Sequence, residues 1–382
     1  MISRSATAKA PPPTPRAASK KAAPMPPAAA EPTPAARLRE EVERMIQRGF
    51  KGLEYFGSPA PQVGVTPRRL LHRRGTLGLY HYEPLNDELY RVPLLLVMAT
   101  TNKANFFDLT PGQSMVEYLM RHGYDVYVMD WNAPTRAESG LRIEDYVLDF
   151  IPDSIRRVQQ HCGEPDVSLI GYCMGGVLAT IYAALHPGGP LKNLVTFTTP
   201  IDWTQTTLAA SIAGSQDRDV DRLIEAVDLV PPESIISAIN LQRPASRAVA
   251  QVRLWDNMWN DKYVKAYRMM QRCEAETLPM AGTYSRQILK ELIRKNGLVN
   301  DTLRIGGRPV RLENIEVPLL HIMAQYDHMV PQACGRPLVE RAGSRDKSEL
   351  ILPGGHASLV AGPNAVKRMW PALDQWLAPR SV

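Results

Sequence analysis

Apolar residues in this chain fall into two patterns. Leu38, Val42, Met45, Ile46 and Phe50 recur at helical spacing, which predicts an amphipathic helix lying outside the main core. Short apolar runs then follow at 78–82, 93–98, 124–129, 167–170 and 194–197. A run such as Leu94-Leu95-Leu96-Val97-Met98 does not alternate, as a strand covered on both faces requires. Helical stretches separate several of these runs, and alternating βα units of this kind build a mostly parallel, doubly wound sheet. The expected fold class is therefore α/β.

After Pro200 the rhythm stops for about 110 residues, and Val220, Leu223, Ile224 and Val227, then Tyr263, Tyr267 and Met270, mark helices instead. A crossover between parallel strands needs only about a dozen residues, so the surplus reads as a helical lid inserted into the sheet. The sheet is expected to resume with a strand over 312–323, after the turn Gly306-Gly307-Arg308-Pro309, and to close with a strand over 349–352. A final helix carries Val366, Met369, Trp370, Leu373 and Leu377 on one side. The expected divisions are an arm over 1–37, a helical segment over 38–66, core over 67–200, lid over 201–311 and core again over 312–382.

Composition changes this picture only at the N-terminus. The arm is dominated by Ala, Pro and Lys, a mixture that buries little and resists helix, so it is expected to be disordered. Arg4, Lys9, Arg16, Lys20, Lys21 and Arg37 stand there against the single Glu31, so the arm holds five of the six net positive charges. The nearly neutral remainder offers no footprint for a nucleic acid. The four cysteines are scattered and form no Cys-x-x-Cys pair, which argues for a reducing compartment and against a disulfide framework or a metal site. No apolar run is long enough to span a bilayer, and no secretory signal is apparent. A cytoplasmic protein is the expectation.

The chemistry concentrates at Gly171-Tyr172-Cys173-Met174-Gly175-Gly176, which joins the apolar run from Val167 to an apolar helix ending near His186-Pro187-Gly188. Strand, glycine-bracketed turn and helix in that order make a nucleophile elbow, with cysteine where serine is common. Gly171 and Gly175 are small so that strand and helix can approach. The helix start directs its positive end at the sulfur, and the Met174 N–H is placed to donate to an oxyanion. The α/β-hydrolase fold that such an elbow belongs to predicts an acid and then a histidine after later strands. Asp327 and His356 occupy those places, His356 as base toward Cys173 and Asp327 as its orienting partner. A second oxyanion donor is expected from the loop after the 93–98 strand, with the Thr101 N–H as the candidate. His161, His186, His321 and His328 read as structural, and Cys162, Cys273 and Cys334 lack the elbow.

These residues resemble the polyhydroxyalkanoate synthase family, whose lipase-like box has the form Gly-x-Cys-x-Gly-Gly. The resemblance extends to Val63-Gly64-Val65-Thr66-Pro67, to 125–131, to 191–196, to Asp327-His328-Met329-Val330-Pro331 and to Pro353-Gly354-Gly355-His356. The modest length is similar to the short class III catalytic subunits. In one stretch the chain departs from the family, with Met98-Ala99-Thr100-Thr101-Asn102-Lys103 where many members have Pro-Pro-x-Ile-Asn-Lys. The resemblance implies an acyltransferase that takes a 3-hydroxyacyl-CoA, such as 3-hydroxybutyryl-CoA, through an acyl-cysteine and needs no cofactor or metal. It also implies a second, non-catalytic subunit, a homodimer, and a location at the surface of polyester granules. Two other readings stand beside it: a thioesterase or polyester depolymerase using the same three residues, and a non-catalytic granule- or partner-binding subunit.

Overall fold

The apolar runs form an eight-stranded sheet in a computed structural model that describes residues 33–208, 227–242 and 246–382. Helix α1 (Pro34–Gly57) precedes the sheet, and the chain clusters into two units, Met1–Gln47 and Arg48–Val382. The helix is longer than the apolar spacing predicted: it begins inside the expected arm and stops at Gly57, so Ser58–Thr66 is not helical. The rest of the expected disordered arm lies outside the described residues.

The sheet strands are β1 (Arg68–Arg74), β2 (Leu77–Tyr82), β3 (Leu94–Val97), β4 (Val126–Trp131), β5 (Val167–Tyr172) and β6 (Leu191–Phe197), joined after the insertion by β11 (Leu319–Ala324) and β12 (Lys347–Leu352). Their order is β1-β2-β4-β3-β5-β6-β11-β12. β1 and β2 pair antiparallel, as do β2 and β4, and the remaining pairs are parallel. β3, β4, β5 and β11 are buried along their whole length, as their unbroken apolar character requires. Helices α2 (Met115–Arg121), α3 (Ile151–Cys162) and α4 (Met174–Leu185) connect the parallel strands. α2 starts at Ser114, whose Oγ accepts from the Glu117 N–H, and α3 stops at Gly163 in the left-handed region.

Three strand starts are corrected. Leu312–Asn314 is a short 3-10 turn and the strand starts only at Leu319. Pro318 precedes it and lacks the N–H a central strand must give to its neighbour. The run expected from Tyr124 begins pairing at Val126, and β12 starts at Lys347, two residues earlier than expected. The Gly306-Gly307 turn joins two short strands, β9 (Arg304–Ile305) and β10 (Arg308–Pro309). Both glycines have positive φ, 56° and 77°, the geometry of a two-residue hairpin that favours glycine.

Where it is described, the stretch expected as a lid holds helices and short strands. Val220, Leu223 and Ile224 lie outside the described residues. A short antiparallel pair, β7 (Leu229–Val230) with β8 (Met280–Ala281), ties the two ends of a segment holding α5 (Pro232–Leu241), α6 (Ser246–Asp256) and α7 (Asp261–Ala275). α8 (Gly282–Gln287) follows directly. After β12 come the short helix α9 (His356–Val360) and α10 (Trp370–Leu377), whose Trp370, Leu373 and Leu377 are buried.

Candidate active site

The strands set the site's position before any side chain is considered. Val97 pairs with Gly171 and Tyr172 with Phe197, so β3, β5 and β6 end side by side, and loops carrying Cys173, Asp327 and His356 leave the carboxyl ends of β5, β11 and β12 together. Ligands bind at such strand ends in open α/β sheets.

Cys173 has φ 52° and ψ −119°, a conformation costly for a residue with a Cβ. Its N–H donates to Phe197 O at 2.9 Å and its carbonyl accepts from Val177 N at 3.1 Å, so neighbouring structure holds the strained turn. The glycines explain how it is reached. A Cβ on Gly171 would lie 2.5 Å from Gly176 Cα, one on Gly175 would lie 2.2 Å from Val97 O, and one on Gly176 would lie 1.9 Å from Thr199 Oγ1. Gly171 and Gly175 allow close approach of backbone to backbone, Gly176 makes room for the Thr199 side chain, and none of them has positive φ.

His356 opens α9 and its Nδ1 donates to Asp327 Oδ2 at 2.7 Å. Asp327 Oδ1 accepts from the N–H groups of Met329 and Val330 at 2.9 and 3.0 Å. The carboxylate is thereby fully engaged and locks the imidazole tautomer that leaves Nε2 for the sulfur. Burial alone would keep His356 neutral, but the charge of the Cys173 sulfur, hydrogen bonds with Asp327 and Cys173, and the Asp327 charge together raise it to about 10. Cys173 is only partly buried, open to an incoming electrophile.

The two oxyanion candidates occupy different settings. Met174 is the first residue of α4, where backbone N–H groups have no partner within the helix. Thr101 lies in a turn closed by the Asn102 N–H donating to Ala99 O at 3.0 Å, and its carbonyl accepts from Leu278 N at 2.8 Å. This turn follows β3 directly. Asp130, almost wholly buried, pins the next residues: its carboxylate accepts from the Ala104 N–H at 2.9 Å and pairs with Lys103 at 3.0 Å and Arg68 at 3.3 Å.

Sequence reasoning did not single out Asp130, Tyr172 or Tyr284. Tyr172, buried between strand end and nucleophile, has its ring 5.3 Å from that of His356 and is stacked on Phe106 at 5.1 Å. Its place between Gly171 and Cys173 was the only available signal. Tyr284 comes from the insertion, and its hydroxyl accepts from Thr100 Oγ1 at 3.4 Å.

The remaining histidines and cysteines sit elsewhere. His161 bonds Tyr127 Oη, His186 bonds Tyr182 O, and the buried His321 bonds Thr196 Oγ1 and is held down to about 4 by burial. His328 neighbours the acid. Burial pushes the Cys273 and Cys334 thiols up to about 12 and also raises Cys162. Among the described residues no cluster of three or more His, Cys, Asp or Glu could hold a metal ion, and no helix is long and apolar enough to cross a membrane.

Residues 102–363 match the family described as alpha/beta hydrolase fold, and residues 60–119 match Poly-beta-hydroxybutyrate polymerase (PhaC) N-terminus. The chain is similar to the protein named Poly(3-hydroxyalkanoate) polymerase subunit PhaC from several organisms. Identity to the one from Thiocystis violacea is 30%, covering 90% of this chain and 98% of that one. The Allochromatium vinosum protein is 31% identical over 89% and 96% of the two chains, and the Haloferax mediterranei protein is 31% identical over 84% and 65%. Among solved structures, a Paleococcus ferrophilus monoacylglycerol lipase superposes with a TM-score of 0.53 at 16% identity, covering 79% of this chain and 99% of that one. That last likeness concerns the fold alone.

Proposed function

The chain belongs to the PhaC family of poly(3-hydroxyalkanoate) polymerases, built on the α/β-hydrolase fold, and from that membership we propose that Cys173, His356 and Asp327 carry the acyl transfer. The observation that carries this reading is the His356–Asp327 bond of 2.7 Å beside a strained, partly open Cys173. The substrate is a 3-hydroxyacyl-CoA thioester.

The Cys173 thiolate attacks the thioester carbonyl, a carbon–sulfur bond forms, and the developing oxyanion is met by the Met174 N–H and the Thr101 N–H. The bond to CoA breaks, and the leaving thiolate takes the proton of the His356 imidazolium. One thioester has been exchanged for another, so the acyl group on Cys173 stays activated. Acylation also removes the sulfur's charge, the largest influence holding His356 protonated. The imidazole is then free to act as base.

The 3-hydroxyl of an incoming hydroxyacyl-CoA gives its proton to His356 and attacks the acyl-cysteine. An ester bond forms, the bond to Cys173 breaks, and the sulfur leaves as thiolate opposite a fresh imidazolium. The lengthened chain, now a CoA thioester, reacylates Cys173 and releases CoA. Repetition grows a polyester. Cysteine favours this over hydrolysis because its acyl ester remains reactive toward an alcohol.

Three finer points belong to the same proposal. The acyl unit is short, with 3-hydroxybutyryl-CoA as the substrate to try first. The relatives are named as subunits, which supports a second chain; that the second chain is non-catalytic and that the protein assembles into a homodimer belong to the proposal alone. A water-insoluble product places the working enzyme at the polyester granule surface in the cytoplasm. The test is product analysis with purified protein and 3-hydroxybutyryl-CoA. High-mass polyester that disappears in Cys173→Ala is the expected result, and free 3-hydroxybutyrate in its place would make the protein a thioesterase.

A further inference from the structure

The turn that carries Thr101 is gripped at both ends by two neighbouring residues of the next strand. β4 ends in Asp130-Trp131, both almost wholly buried. Because β4 pairs in parallel with β3, these two residues flank the chain as it leaves β3 at Val97. The Trp131 Nε1–H donates to Met98 O at 2.8 Å. The Asp130 carboxylate accepts from the Ala104 N–H at 2.9 Å and pairs with Lys103 at 3.0 Å, and Lys103 Nζ also donates to Trp131 O. Successive strand residues point to opposite faces, so one grip comes from each side of the sheet. Residues 99–102 are left between the grips as a closed turn.

The clamp bears on the nucleophile through a direct contact. A Cβ on Gly175 would lie 2.8 Å from Met98 O, so the helix of the elbow packs against the same peptide that Trp131 holds. Within the turn, the Thr101 N–H has no hydrogen-bond partner among the described residues, as a donor kept for a transient oxyanion requires. Asp130 is the one charged residue in β4. A buried carboxylate is tolerated only when paired and hydrogen-bonded, and Asp130 directs two of its contacts to consecutive residues of this one loop.

We propose that Asp130 is the positioning residue of the oxyanion loop: by holding Lys103 and Ala104 it aims the Thr101 N–H at the oxygen that becomes charged when Cys173 is acylated. The proposal rests on Cys173 as nucleophile and on Thr101 as donor. A misplacement of about 1 Å costs on the order of 10²-fold in rate. That cost falls on acylation alone. When iodoacetamide alkylates the sulfur, a carbon–sulfur bond forms, iodide leaves, and no oxyanion develops.

The test therefore compares two reactions of one sulfur in the full chain. Acylation by 4-nitrophenyl acetate is read as the first burst of nitrophenolate, and alkylation by iodoacetamide is read by mass on the peptide holding Cys173. Asp130→Ala is expected to lower the ratio of the two rate constants, acylation over alkylation, at least tenfold. Asp130→Asn, which can still accept from the Ala104 N–H but no longer holds the Lys103 charge, should lower it by less. Lys103→Met should also lower it by less, and because it leaves the carboxylate in place it keeps the proposal falsifiable should Asp130→Ala fold poorly. Asp125→Asn removes a buried carboxylate just before the other end of β4 and should leave the ratio unchanged. Alkylation confined to Cys173, sparing the buried Cys273 and Cys334, marks the folded chain in each variant. An unchanged ratio in the Asp130 and Lys103 variants, or an equal fall in Asp125→Asn, would overturn the role of Asp130. A nitrophenolate burst that survives in Cys173→Ala would instead overturn the nucleophile, and the proposal with it.

Discussion

His356–Asp327 and His81–Asp125 are both buried histidine–carboxylate pairs on one sheet, with bonds of 2.7 and 2.6 Å. The second pair is closed on itself. Asp125 Oδ2 accepts from the Tyr127 hydroxyl at 2.8 Å, that hydroxyl accepts from His161 Nδ1 at 2.8 Å, and His161 Nε2 accepts from Arg69 at 2.9 Å. A cysteine, Cys162, even follows His161 in the chain, but it lies at the end of α3 in ordinary helix with its thiol raised by burial. The first pair faces a cysteine in a strained turn at the carboxyl ends of parallel strands, whereas Asp125 lies just before β4 begins, at the opposite end of a strand. A histidine and a carboxylate are thus only a means of holding an imidazole still. Reactivity comes from what the free nitrogen meets, and the elbow and strand ends decide that.

The comparison breaks most visibly by exchanging each carboxylate for an amide. Asp327→Asn should cut kcat/KM for CoA release by about 10²- to 10⁴-fold, through the wrong imidazole tautomer. Asp125→Asn should leave kcat/KM within about threefold and cost about 2 kcal/mol of unfolding free energy by breaking a satisfied buried network. Kinetics and urea denaturation of both variants check this. Equal losses of activity would erase the distinction between the pairs.

A smaller effect concerns pH. His356 is raised to about 10, above the unfolded value of about 6.5, so its contribution to stability is full below the unfolded value and lost as pH rises through about 10. The difference in unfolding free energy between the wild type and His356→Gln should therefore shrink as the solution is taken from neutral toward that value. A difference that stays flat would mean that the fold does not hold His356 protonated.

The parts of the fold legible in sequence were those written in local pattern. Continuous apolar strands, the bracketed elbow and the order of Cys173, Asp327 and His356 depend on neighbours in the chain. β1 was missed because Arg68-Arg69-Leu70-Leu71-His72-Arg73-Arg74 is an edge strand, with a register shift between Leu70 and His72 that interrupts alternation. The segment before β11 was misread because Leu312 and Ile315 are buried, and burial at that spacing serves a short helical turn as well as a strand. Asp130 and Tyr284 were invisible for another reason: their partners Arg68 and Thr100 lie 62 and 184 residues away, and no period along the chain encodes such contacts.

The central claim, a covalent acyl-cysteine at the elbow, is tested most directly by acid-quenching the protein milliseconds after mixing with 3-hydroxybutyryl-CoA and weighing its cysteine-containing peptides. The account predicts one or more hydroxybutyryl units on the peptide holding Cys173, and none on those holding Cys162, Cys273 or Cys334. An acyl group on any of those three, or CoA released while Cys173 remains free, would contradict it.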